Sequence, residues 1–144
     1  LEIEMLKFEL NWIHVALVAL LNFVLGWAWY SPLLFVKPWM RGLGKDPETF
    51  KPSTQDQEAM PRLMAGALLA AILTSLGMAV LVASVGATDA VSGLELGLLA
   101  GLAFVASHGI GTAFEGRKMV VITISVGYSV ATLVLDGAIH GAWR

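Results

Sequence analysis

Four stretches of this chain each run for more than twenty residues with at most one charged side chain: residues 11–34, 63–85, 93–114 and 119–143. A helix needs about 20 mostly apolar residues to cross the hydrocarbon of a bilayer. Lipid offers no hydrogen bonds, so a backbone inside it must satisfy its own N–H and C=O groups, and a single segment does so only as a helix. The expectation is therefore an all-α integral membrane bundle of four transmembrane helices. The chain has 144 residues, 57% of them hydrophobic and 14% charged, which leaves too little polar surface for a soluble domain of this size. One membrane domain over residues 11–144, after a flank at 1–10, accounts for the whole length.

Turn signals separate the four stretches. Ser31-Pro32 and Pro38 end the first. Residues 41–61 are polar, contain Pro47, Pro52 and Pro61, and form the one long loop, with Pro61 suited to the first turn of the second helix. Residues 86–89 break the second span from the third, and residues 115–118 make a tight hairpin between the third and fourth. The first apolar segment does not read as a signal peptide. Its leading residues hold Glu2, Glu4 and Glu9 against Lys7, and no small-residue cleavage site follows. Met5 opens a natural-looking start, MLKFELNW, so residues 1–4 are read as added sequence or an alternative start and given no structural weight.

Charge predicts the orientation. The loop after the first helix has Lys37, Arg41, Lys45 and Lys51, with Arg62 at its end, and the hairpin after the third has Arg117 and Lys118. The opposite side has only Lys7 and Arg144. The positive-inside rule then puts both basic loops in the cytoplasm and both termini outside, with dual topology as the alternative. Trp27, Trp29, Tyr30, Phe35 and Trp39 gather near the inner end of the first helix, and Trp12 and Trp143 mark the outer boundary, as in an interfacial aromatic belt.

Small residues at four-residue spacing, Gly93, Gly97 and Gly101, let another helix backbone approach closely. Gly137 with Gly141, and Gly66 with Ala70, repeat the pattern more weakly. On a helical wheel, Gly97 and Gly101 share a face with His108, Thr112 and Glu115. Ser125, Ser129, Thr132, Asp136 and His140 fall within an arc of roughly 80° on the fourth helix. Asn11, His14 and Asn22 lie broadly on one side of the first. Such groups should not face lipid, so the stripes point into the bundle, an oligomer interface or water. For the serines and threonines, hydrogen bonds that fix helix register are the leading reading.

Asp136 and His140 lie one turn apart, and His14 lies near the same membrane boundary, so the three have the means to meet. Three meanings compete: a structural hydrogen-bonded pair, a proton or cation relay, and a metal site of His14, Asp136 and His140. The structural pair leads. His108 alone is weak support for haem or chlorophyll, and no cofactor is named by the sequence. The chain has no cysteine, which removes disulfides and thiolate chemistry. It has no HExxH, no GxSxG and no phosphate loop with its flanking strand and helix. The net charge of −2 gives no footprint for nucleic acid. The chain is read as no enzyme.

Three groups of motifs together resemble the small bacterial membrane family called domain of unknown function 1761. The first is Asn11-Trp12 opening a helix that closes with Gly26-Trp-Ala-Trp-Tyr30-Ser-Pro-Leu-Leu-Phe35, followed by Trp39-Met40. The second is the glycine-rich third helix ending Phe114-Glu115-Gly116-Arg117. The third is a final helix with Gly127-Tyr128 and the end Gly137-Ala-Ile-His140-Gly-Ala-Trp143. The resemblance covers nearly the whole chain after Lys7. It implies four helices, a membrane home, most simply the bacterial cytoplasmic membrane, and no known activity. It also implies a Glu115–Arg117 pair anchoring the hairpin. It implies apolar residues at the positions of His14, Asp136 and His140, which makes those three additions of this chain. The expected function is a structural or accessory subunit of a homo-oligomer or larger membrane complex. The alternative is a small oligomeric transporter or channel for a proton, ion or metal, using Asp136 and His140, with His108 and Glu115 continuing the path.

Overall fold

The computed structural model describes residues 10–143. Among them every regular element is helical. The order is α1 (Trp12–Trp29), α2 (Val36–Gly42), α3 (Thr54–Val85), α4 (Ala90–Phe104), a π-helical turn (Val105–Gly109), α5 (Ile110–Phe114) and α6 (Met119–Ala142). The π turn joins α4 and α5 into one rod, so four helices are long and apolar enough to cross a membrane: Trp12–Trp29, Thr54–Val85, Ala90–Phe114 and Met119–Ala142. Residues 1–4, Lys7, Glu9 and Arg144 lie outside the described residues.

Local chemistry sets the helix ends. The Asn11 side chain accepts from the backbone N–H groups of Ile13 and His14 and starts α1. The helix stops at Trp29, five residues short of the apolar run. Pro32 has no N–H to give, and the Ser31 hydroxyl donates to the Ala28 carbonyl at 2.7 Å, closing the end. The chain then forms the short helix α2, which the sequence reading placed in the tail of the first span and in the loop. The second span also differs from expectation. Ser53 and Asp56 make a reciprocal capping box, so α3 begins at Thr54 and Pro61 lies inside the helix rather than in its first turn. The long loop is correspondingly shorter, residues 43–53. Gly86, at φ 79°, ends α3 in the left-handed conformation, and the Asp89 carboxylate caps α4 through Val91 and Ser92.

At most 33% of any span's apolar window is buried inside the chain. The remaining faces present leucine, isoleucine and valine outward, as hydrocarbon demands and water would not tolerate. The closest packing is α4 on α6. A Cβ at Gly93 would strike the Gly137 carbonyl, and one at Gly97 would lie 2.8 Å from the Val134 Cα. Gly137 and Gly141 answer from the other helix, so the two backbones touch without side chains between them. The glycine pattern thus serves packing within the chain. Gly66 meets nothing within 4 Å and takes no part.

At the loop end, Trp29, Tyr30, Phe35 and Trp39 pack as one cluster, while Trp27, expected among them, is exposed. Trp29 lies 4.7 Å from Phe35 and Tyr30 5.4 Å from Trp39, ring to ring, and both Trp29 and Tyr30 also meet Tyr128 of α6. Trp29 donates its indole N–H to the Ile124 carbonyl at 3.0 Å, fixing the depth of α1 against α6. The hairpin before α6 holds the expected pair, with Arg117 Nε 2.9 Å from Glu115 Oε2.

Candidate functional site

The polar stripe of α6 faces the bundle. Thr132, Asp136 and His140 are buried, and Ser125 and Ser129 are half-buried. Ser129 and Thr132 turn their hydroxyls back on their own helix, to the carbonyls of Ser125 and Ser129. Asp136 and His140 reach across instead. Asn22 of α1 donates Nδ2–H to Asp136 Oδ2 at 2.8 Å. His140 Nε2 lies 3.1 Å from the Ser75 hydroxyl of α3. Ser75 in turn donates to the Val15 carbonyl of α1 at 2.9 Å. Three helices are therefore tied at two adjacent levels.

Proton counting assigns the rings. The single Ser75 hydroxyl proton is committed to Val15, so His140 must donate from Nε2, and its neutral form has the lone pair on Nδ1. At the end of α1, Asn11 spends its carbonyl oxygen on the helix cap and turns its amide toward His14 Nε2 at 3.3 Å. His14 Nε2 is then an acceptor, and the ring lies 4.9 Å from Trp143. His14, His140, Asn11 and Trp143 line a cavity of about 250 Å³ at the end of the bundle where α1 starts and α6 finishes. A second cavity, of about 280 Å³, lies between α3 and α6, near Thr74 and Thr132, with Asn22 and Phe104 also on its wall. Tyr128 also reaches this level, donating to the Asn22 carbonyl at 3.1 Å.

The three residues considered together as metal ligands have separate partners: Asn11 for His14, Asn22 for Asp136 and Ser75 for His140. Among the described residues, no three His, Cys, Asp or Glu side chains gather as a metal site. His108 and Glu115 do not join the buried seam. The expectation that they share a face with Gly97 and Gly101 is corrected by the π turn at Val105–Gly109. Its wider winding shifts the following residues around the axis, leaving the glycines buried and His108 exposed. His108 stacks on Phe104 with ring centres 4.9 Å apart. Ser75 is the partner that sequence reasoning did not single out, and Tyr128 entered it only as part of a family motif. Ser75 is a lone small hydroxyl beside Thr74 in an apolar run, with no spacing to mark it.

Among the described residues, two buried acceptors in the seam have no hydrogen-bond partner: Asn22 Oδ1 and Asp136 Oδ1. Asn22 is 1% exposed and Asp136 is 0% exposed. The seam contains hydrogen-bond donors, acceptors and one carboxyl. What it can do chemically is hold helices in register and hold a proton.

The family model described as "Protein of unknown function (DUF1761)" matches residues 13–141, so the chain belongs to that family. No curated protein and no solved structure matches it.

Proposed function

We propose that this member of a family without an assigned activity is a non-enzymatic structural or accessory subunit of a membrane assembly. The assembly is a homo-oligomer or a larger complex in the bacterial cytoplasmic membrane. The observation that carries the reading is His108. It is exposed on the Ala90–Phe114 span, about six residues or roughly 9 Å from the loop end of that rod. An imidazole facing hydrocarbon is costly, and a neighbouring helix that hydrogen-bonds it removes the cost. The polar groups of α6, by contrast, bond within the chain and give it a fixed shape to present.

A second reading, transport of a proton, ion or metal by an oligomer, is favoured by the cavity that His14 and His140 line. It needs a path past Asp136, which Asn22 and the surrounding helices seal.

Native mass spectrometry of the protein taken gently from its own membrane tests both. A defined oligomer, or a complex with other chains, supports the subunit reading. A monomer in every lipid and detergent overturns it. Ion flux in liposomes that is lost in Asp136→Asn moves the assignment to transport.

A further inference from the structure

We infer that Asn22 and Asp136 hold one proton between them, as a carboxamide–carboxylic acid pair closed by two hydrogen bonds. The first bond is present, from Asn22 Nδ2 to Asp136 Oδ2 at 2.8 Å. The two atoms left without partners are one oxygen on each residue, Asn22 Oδ1 and Asp136 Oδ1.

An ionised carboxylate only accepts, so it has nothing to offer the Asn22 carbonyl oxygen. A carboxylic acid donates. One proton taken up from solvent onto Asp136 Oδ1 turns that oxygen into a donor, which Asn22 Oδ1 is able to accept. It satisfies both orphaned oxygens at once and leaves the pair neutral. Both oxygens are sealed from bulk solvent, so neither is satisfied by exposure to water.

The surrounding helices supply no compensating cation. α1 and α6 contain no lysine or arginine. α3 has only Arg62, thirteen residues or roughly 20 Å along the helix from Ser75. α4 has no basic residue, and its one acidic residue, Glu95, is exposed. Lys37 and Arg41 of α2 are exposed at the loop end. The titratable neighbours on α6 are Tyr128, which donates to the Asn22 backbone, and His140, whose Nε2 serves Ser75. No ion pair joins His140 to Asp136 among the described residues. A lone charge in such a place is far more costly than a neutral, fully bonded pair.

The inference does not depend on what the chain assembles with. It adds a proton-holding site to a seam otherwise read as packing.

The test is infrared spectroscopy of the full chain in lipid bilayers with isotope-labelled aspartate. Asp46, Asp56 and Asp89, the other aspartates, are exposed and are replaced by Asn, leaving Asp136 as the single labelled carboxyl. The expected spectrum at neutral pH has an acid C=O band that shifts with the label and shows strong hydrogen bonding. Asn22→Leu is expected to move that band toward an unbonded acid. A spectrum with carboxylate bands only overturns the proposal. So does an acid band that Asn22→Leu leaves in place in a folded variant. The triple variant alone suffices for the first outcome, with the seam untouched.

Discussion

Ser75 and His140 meet at 3.1 Å between α3 and α6, and the same serine hydroxyl donates onward to the Val15 carbonyl of α1. One side chain therefore joins three helices, and its removal strips two bonds together. Interhelical hydrogen bonds in membranes are worth about 0.6 kcal/mol on average and up to about 1.7. Ser75→Ala should cost about 1 to 2 kcal/mol in reversible unfolding by a denaturing detergent. Thr74→Ala, which removes a hydroxyl bonded only to its own helix at Ala70, should cost clearly less. Equal losses would show that the Ser75 bridge contributes nothing special.

The glycine contacts predict a sharper contrast. A side chain at Gly93 would strike the Gly137 backbone, which has no flexible end to move aside. Gly93→Val should destabilise the chain by about 2 kcal/mol or more, the range for forced overpacking. Gly66→Ala meets open space inside α3 and should leave the chain as stable or slightly more so, since alanine favours the helix over glycine. A Gly93→Val variant that unfolds like its parent would place the α4–α6 contact elsewhere.

These two contrasts also show what sequence could and could not deliver. Gly93, Gly97 and Gly101 were legible because small residues every four positions leave a stripe on any regular helix. The inward face of Thr132, Asp136 and His140 was legible for the same reason. Their partners were not, because periodicity names a face but not the neighbour opposite it. Asn22 could be placed on a side of α1 but not paired with Asp136. Ser75 had no pattern at all. His108 failed differently: its face was derived for uniform winding, and the π turn at Val105–Gly109 slips that register. The start of α3 was written as Ser53 and Asp56, three apart, but three prolines drew the reading toward a loop.

The Asp89 cap makes a pH prediction. Hydrogen bonds from the Ser92 backbone, the Ser92 hydroxyl and the Val91 backbone hold its carboxyl below the ordinary value of 3.8. A depressed folded pKa means that the cap's contribution is fully present above that ordinary value. It is lost as pH falls through the lower, folded one. Melting of the chain should therefore show a loss of stability in strongly acidic solution, and Asp89→Asn should reduce that loss by Asp89's share, because asparagine caps without titrating. Asp46 and Asp56, also held below 3.8 by their hydrogen bonds, keep theirs. An acid loss that Asp89→Asn leaves at its full size would show that the cap contributes nothing to it.

Absence of cysteine permits a clean test of orientation. Thr88 lies exposed in the turn between α3 and α4, and Lys45 lies exposed in the basic loop at the other end. With basic loops inside, Thr88→Cys should react with a membrane-impermeant maleimide in intact cells. Lys45→Cys should react only after the membrane is opened. Reversed labelling would invert the orientation, and labelling of both in intact cells would show dual topology.

The assembly reading rests on His108 and is tested by giving lipid what it prefers. If His108 faces hydrocarbon in a lone chain, His108→Leu removes a polar group from lipid and should raise stability without touching assembly. If a neighbouring helix bonds the imidazole, the same substitution breaks a contact between chains. The variant should then shift toward smaller species in native mass spectra, while its unfolding as a monomer stays near that of the parent. Ring stacking on Phe104 survives neither substitution to Leu nor to Asn, but Asn keeps a donor and an acceptor. His108→Asn should therefore retain more of the assembly than His108→Leu if hydrogen bonding holds the chains together. Assembly unchanged in both variants, with higher stability for Leu, would mean that this face meets lipid alone.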